Sequence, residues 1–135
     1  SLGSNYDLPY VLKAMFASGS DEDPKRLRKL LELKYGGNTV LFYKGREALT
    51  FALKSLDLPK ESTVAINGFT CVAVFNAIRK AGFEPLCLDL EETGGLNFTP
   101  KTLEKALKSN ENIKVVVVQN TLGYPCDIQT IQDFQ

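Results

Sequence analysis

"TVAINGFTCVAVFNAIRKAGFEPLCLDL", residues 63–90, is the stretch whose reading decides the fold. It opens on a β-rich run, "TVAI" (63–66), and closes on another, "LCLDL" (86–90). Between them the pattern is helical from about Thr70 to Ala81 and stops at Gly82, a natural residue just past a helix end. Strand, helix and strand in close succession make a β-α-β unit, whose two strands run parallel.

The same rhythm extends in both directions. "TVLFY" (39–43) and "KVVVV" (114–118) read as further strands, so the four runs recur about every 25 residues, the repeat of successive β-α-β units. "VVVV" is apolar on both faces, as a central parallel strand covered by helices on both sides requires. Leu49, Ala52, Leu53 and Leu56 follow a helical i, i+3, i+4, i+7 spacing. Thr99 as N-cap and Pro100 as first helical residue open another helix, with Leu103, Ala106 and Leu107 on one side. "CDIQTIQDFQ" reads as a helix capped by Asp127, with Ile128 and Ile131 facing inward. A separate helix at about 24–35, with Asp23 as cap and Leu27, Leu30 and Leu31 as its stripe, precedes the first strand and ends at Gly36-Gly37. The expected architecture is α/β, a three-layer α-β-α arrangement around a mainly parallel sheet.

Composition narrows the function. The 135 residues fit one domain, and 44% hydrophobic with 24% charged residues is ordinary for a globular chain. Sixteen basic and sixteen acidic residues cancel, which argues against a nucleic-acid partner or an anionic membrane. The "KRLRK" run (25–29) reads either as a solvated helix face or as a phosphate patch. No apolar run approaches the ~18 residues that span a bilayer, and the start, "SLGSNYDLPY", lacks the basic-then-apolar pattern of a leader. Cys71, Cys87 and Cys126 are odd in number and widely spaced, neither a disulfide framework nor a metal motif, and point to a reducing, cytoplasmic setting. With no His in the chain, zinc sites and Ser-His or Cys-His hydrolases are excluded; no metal is expected.

Ligands of open parallel sheets gather at the carboxyl ends of the strands. Three loops leave those ends. In Lys44-Gly45-Arg46-Glu47 a helix begins without a Ser, Thr, Asp or Asn cap, so free N–H groups and the helix dipole favour an anion, with Arg46 as a guanidinium donor. An ordinary strand-to-helix turn is the alternative. Asn67-Gly68-Phe69-Thr70-Cys71 offers Phe69 or Cys71 to a flat ligand, or else is a helix start capped by Thr70 with Phe69 as a staple. Gln119-Asn120-Thr121-Leu122-Gly123-Tyr124-Pro125 places polar groups directly after a buried strand, for a ligand or for a structural turn.

Taken in order, "KGREAL", "INGFTCVAVFNAIRKAGFEPLCLDL", "LNFTPKTLEKAL" and "VVVVQNTLGYPCDI" resemble the DegT/DnrJ/StrS family of fold-type-I aminotransferases, which use pyridoxal 5'-phosphate (PLP) and mostly act on nucleotide-linked keto sugars. The resemblance covers about residues 38–135. It implies the front half of the aminotransferase large domain: residues 1–37 an N-terminal segment, and 38–135 a partial PLP-binding domain that stops before the catalytic lysine region. It places Gly45 and Arg46, followed by Glu47, at the seat of the PLP phosphate, with Arg46 standing where the family has a hydroxyl donor. Cys71 falls where many members stack an aromatic on the pyridine ring, and Asn120 where many have a His near that ring. Gly123, Pro125 and Asp127 match the turn and helix start that follow.

No lysine of the chain lies in a motif matching the family's Schiff-base lysine, and that lysine and the acidic partner of the pyridinium are expected beyond Gln135. The resemblance thus implies the N-terminal fragment of a sugar aminotransferase. It would be inactive alone and hold no cofactor covalently, and its parent would be a homo-oligomer such as a dimer, with an amino-acid donor and a nucleotide-linked keto sugar as partners. A stand-alone α/β phosphate-binding or interaction module is the alternative. The resemblance also implies a strand order in which the run at 63–66 lies between those at 86–90 and 114–118, while 39–43 lies across later strands.

Overall fold

The computed structural model describes residues 6–90 and 95–132. The chain divides into two compact units, Ser1–Leu41 and Phe42–Gln135.

Among the described residues the first unit holds two helices. α1 (Leu8–Met15) starts on Asp7, whose carboxylate accepts the Tyr10 N–H at 2.9 Å, with Pro9 in the first turn. The sequence reading contains no helix here, although Asp7-Leu8-Pro9 carries both start signals. α2 (Glu22–Tyr35) ends at Gly36, whose φ of 76° only glycine adopts freely. Asp23 lies inside its first turn and accepts the Ser20 N–H at 2.9 Å, reaching back over the helix start instead of occupying the cap position. The basic run 25–29 is exposed, and Lys25 pairs with Glu22, as on a solvated face.

The second unit is built on three parallel strands, β1 (Thr63–Asn67), β2 (Glu84–Leu88) and β3 (Ile113–Val117), in the order β2-β1-β3. This is the order expected from the family resemblance. β1 is buried along its whole length, since both its edges are paired and both its faces covered. It runs in register with β2 from Thr63 opposite Glu84 to Asn67 opposite Leu88, and its register with β3 shifts by one residue between Thr63 and Val64. β2 begins at Glu84, two residues before the run read as a strand, and carries Pro85. A proline is tolerated there because β2 is an outer strand.

Alternation along β1 separates two cores. Val64 and Ile66 pack with Leu53 of α3 (Gly45–Lys54) and Ile78 of α4 (Val72–Ala81). Ala65 packs on the other face with Leu103 of α5 (Pro100–Ser109) and Ile131 of α6 (Ile128–Gln132). The result is the three-layer α-β-α arrangement. Leu56 falls outside the core because α3 ends at Lys54, before that leucine's turn. α5 starts as expected, with the Thr99 hydroxyl accepting the Thr102 N–H at 3.1 Å and Pro100 following. α4 stops at Gly82 in the left-handed region, φ 97°. The last residues of the "CDIQTIQDFQ" run, 133–135, lie outside the described residues.

One expected element is missing. Residues 39–43 form no strand. The Thr39 N–H goes to the Glu32 carboxylate at 3.0 Å, Phe42 stacks on Phe51 with ring centroids 5.4 Å apart, and Tyr43 is 95% exposed. β-propensity alone does not make a strand: the run needs a ladder partner, and among the described residues it pairs with none of the three strands.

Candidate functional site

The starts of α3 and α4 bring several of the candidate residues together, although no strand precedes α3. Gly45 is the first residue of α3, and Lys44 occupies the cap position with no side-chain hydrogen bond to the helix. The Lys44 carbonyl accepts the N–H of Glu47 at 3.0 Å and of Ala48 at 3.1 Å. The Glu47 N–H is therefore occupied, and the N–H groups without an acceptor in the helix are those of Gly45 and Arg46. A Cβ on Gly45 would meet nothing within 4 Å, and its φ lies outside the left-handed region. The fold itself places no demand for glycine there.

From this helix start a cleft of about 900 Å³ runs between α3 and α4. Lys44, Arg46 and Glu47 line it together with Cys71, and Lys54 and Lys80 lie along it. Basic side chains outnumber the one carboxylate, so the cleft favours an anion. Cys71 is exposed and is itself the N-cap of α4, its Sγ accepting the Ala73 N–H at 3.5 Å. Thr70 does not cap α4. Its hydroxyl is spent on the Gln119 side chain, so the cap moves one residue on.

Asn120 does not line the cleft. Its Oδ1 accepts the Cys126 N–H at 3.2 Å and closes the turn through Thr121–Gly123, where Leu122 and Gly123 both have positive φ. The polar residues of this loop therefore have partners inside the protein: Gln119 with Thr70, Asn120 with Cys126, Thr121 with Asn67. The Thr70–Gln119 bond nonetheless ties the Asn120 loop to the residue before Cys71.

Asn67 and Gly68 carry more of this geometry than the sequence reading gave them. Asn67, 1% exposed, ends β1, and its amide reaches the loops after all three strands. Gly68 donates its N–H to the Leu88 carbonyl at 2.9 Å. The signal for both was present in "ING": a polar residue and a glycine ending an otherwise apolar buried strand. Burial pushes the Cys126 thiol above its ordinary range, and hydrogen bonds from the Thr130 hydroxyl and N–H hold Asp127 below the usual carboxylate range. Among the described residues no cluster of metal-ligating side chains occurs, and no helix is long and apolar enough to cross a membrane.

Comparison with known proteins adds to this geometry. No curated protein matches the chain. Among solved structures, the PLP form of a "Putative sugar aminotransferase" from Streptococcus pneumoniae has a TM-score of 0.73 to this chain at 22% identity. The match covers 91% of this chain and 31% of that one, so the two share a fold over about a third of the longer protein. A model of the DegT/DnrJ/EryC1/StrS aminotransferase family matches residues 26–135, which hold the whole sheet, the cleft and the loops around it. The chain belongs to the DegT/DnrJ/EryC1/StrS aminotransferase family.

Proposed function

We propose that residues 38–135 form the front part of the PLP-binding large domain of a sugar aminotransferase, with the PLP phosphate held at the start of α3. One observation carries the reading. α3 opens without a side-chain cap, with the N–H groups of Gly45 and Arg46 lacking helical acceptors, free space in front of Gly45, and Lys44 and Arg46 on the adjoining cleft. A dianionic phosphate satisfies all of these at once: N–H donors, the positive end of the helix dipole and two side-chain cations.

The residues fit the phosphate end of the cofactor better than its ring. Cys71 offers the ring a polarizable edge where an aromatic would offer a face, and the Asn120 side-chain oxygen Oδ1 already accepts the Cys126 N–H. Glu47 contributes an acidic side chain near the seat but no free N–H. When bound, PLP supplies the electron sink for amino-group transfer. The lysine that anchors it and the carboxylate that pairs with its ring nitrogen belong, in this reading, to polypeptide beyond Gln135. The 135-residue chain by itself is then inactive. The partners are an amino-acid donor and a nucleotide-linked keto sugar, and the complete enzyme is a cytoplasmic homo-oligomer.

The test is a phosphate titration followed by backbone amide shifts. We expect the Gly45 and Arg46 signals to move and Gly45→Val to suppress the movement, and no turnover of amino donor and keto sugar by the same preparation. Shifts confined to the starts of α4 and α5 would refute the phosphate seat. Turnover by chain of confirmed mass would refute the division of the catalytic groups.

A further inference from the structure

We propose that Asn67 is the positioning residue that sets the loop of Cys71 and the loop of Asn120 at a fixed separation. The functional weight of this assignment rests on the reading above, in which those two loops flank the cofactor.

Asn67 closes β1, the central strand, on the face that packs toward α5 and α6. Its side-chain nitrogen lies 2.6 Å from the Leu96 carbonyl, 3.3 Å from Asn97 Oδ1, 3.4 Å from the Phe69 carbonyl and 3.4 Å from Thr121 Oγ1. Those four oxygens come from the connections that follow β1, β2 and β3. Two N–H bonds thus serve four acceptors, and one side chain holds three loops together. With the amide reversed, its oxygen would face three oxygens that cannot donate, so the orientation is fixed by its surroundings. Asn67 Oδ1 is buried and has no partner among the described residues, where every hydrogen bond of the side chain is one its nitrogen donates.

The surrounding bonds extend the clamp. Thr70 bonds Gln119, and Asn97 Nδ2 donates to the Tyr124 carbonyl at 3.1 Å. Cys71 lies two residues past Phe69, and Asn120 directly precedes Thr121. Moving Asn67 therefore moves both loops relative to each other. Ser62, directly before β1, is equally buried, and among the described residues its hydroxyl has no partner and makes no hydrogen bond to these loops. It is the natural control.

Asn67→Asp separates a donor role from mere filling of space. As a carboxylate the new side chain faces four oxygens and donates nothing; protonated, it regains one O–H donor. None of its four contact groups titrates. Asp127, which caps α6, titrates in the wild type as well, and the wild-type chain at each pH is therefore the reference.

The experiment records backbone amide shifts of the 135-residue chain, without cofactor, between neutral pH and pH 4. In Asn67→Asp we expect the signals of Phe69–Cys71, Asn97 and Thr121–Gly123 to stand away from their wild-type positions at neutral pH. They should return as the pH falls, with a midpoint above ~4, the ordinary carboxylate value. Leu103 and Val116 should stay in place. Asn67→Leu should displace the same loop signals at every pH, and Ser62→Ala should displace none of them. Loop signals at wild-type positions in both Asn67 variants would overturn the proposal. So would displacement spread through the core without pH dependence, or failure of both variants to fold at every pH. Because no cofactor enters the measurement, its outcome is independent of whether phosphate binds at α3.

Discussion

A Cβ added to Gly68 would lie 2.7 Å from the Leu88 carbonyl oxygen, a backbone atom held by the β1–β2 ladder. A Cβ added to Gly45 would meet nothing. The two glycines look alike in sequence, each following a strand-like run and preceding a helix, but they answer different demands. Gly68→Ala has to push apart the ends of β1 and β2, and we expect it to lower unfolding free energy by about 1–3 kcal/mol, the usual cost of overpacking. Gly45→Ala should stay within about 0.5 kcal/mol of the wild type, as substitutions at unconstrained exposed sites do. Urea unfolding of the two variants checks the contrast; equal losses would show that the close approach at Gly68 is relieved by a small shift. The glycine that sequence reading marks for a ligand is thus the one that the fold can spare, and the one it passes over is structurally required. The distinction depends on a backbone 20 residues away, Leu88, which no local pattern around Gly68 contains.

At the scale of elements, helix starts show how far local chemistry reaches. Asp127 caps α6 by accepting both the N–H and the hydroxyl of Thr130, at 3.2 and 2.7 Å, and those bonds hold its carboxyl below the ordinary range. A carboxyl depressed in the folded state stabilises that state above its unfolded pKa, and the contribution disappears as the pH falls through the lower, folded value. α6 should therefore keep its order at neutral pH and loosen only below about pH 4, the ordinary aspartate value. Thr130→Ala should raise the Asp127 midpoint toward that value. Side-chain carboxyl shifts of Asp127 across pH 2–6 in the two chains are the measurement, and an unchanged midpoint would contradict the assignment of cause. Caps written entirely within a few residues, such as Thr99-Pro100 and Asp127, were legible from sequence. α4 was misplaced by one residue because the Thr70 hydroxyl bonds Gln119, 49 positions along the chain.

At the scale of the molecule, the sheet has open edges. Among the described residues β2 and β3 each pair on one side only, and beside β3 a groove of about 380 Å³ is lined by Leu103, Leu107, Val116, Val118, Ile128 and Ile131. A valine-rich edge without proline is a template for pairing with further strand. We expect the isolated chain to self-associate with rising concentration, and Ile128→Lys to weaken that association. Ile128 is 44% exposed, so a charge there enters the groove without opening the core. Sedimentation velocity over a concentration series decides; identical, concentration-independent behaviour of both chains would show that the groove mediates no contact.

What the sequence determined by itself is what repeats locally. Alternating β-rich runs and helical stripes gave the α/β class, the parallel strands and most of the helices, because each follows from the period of apolar residues and from caps a few positions long. Of the expected inner faces, Leu53, Leu103 and Ile131 are buried, whereas Leu27, Leu30, Leu56 and Ile128 are exposed. The ordered motifs from "KGREAL" to "GYPCDI" also carried the family, which the match over residues 26–135 bears out. Only tertiary structure decided which propensities were realised. Residues 39–43 have strand composition and no strand, because a ladder hydrogen bond belongs to two segments at once. For the same reason the polar loop after β3 was ambiguous in sequence: Gln119, Asn120 and Thr121 find their partners in Thr70, Cys126 and Asn67, and a buried polar group is assigned by what surrounds it in space.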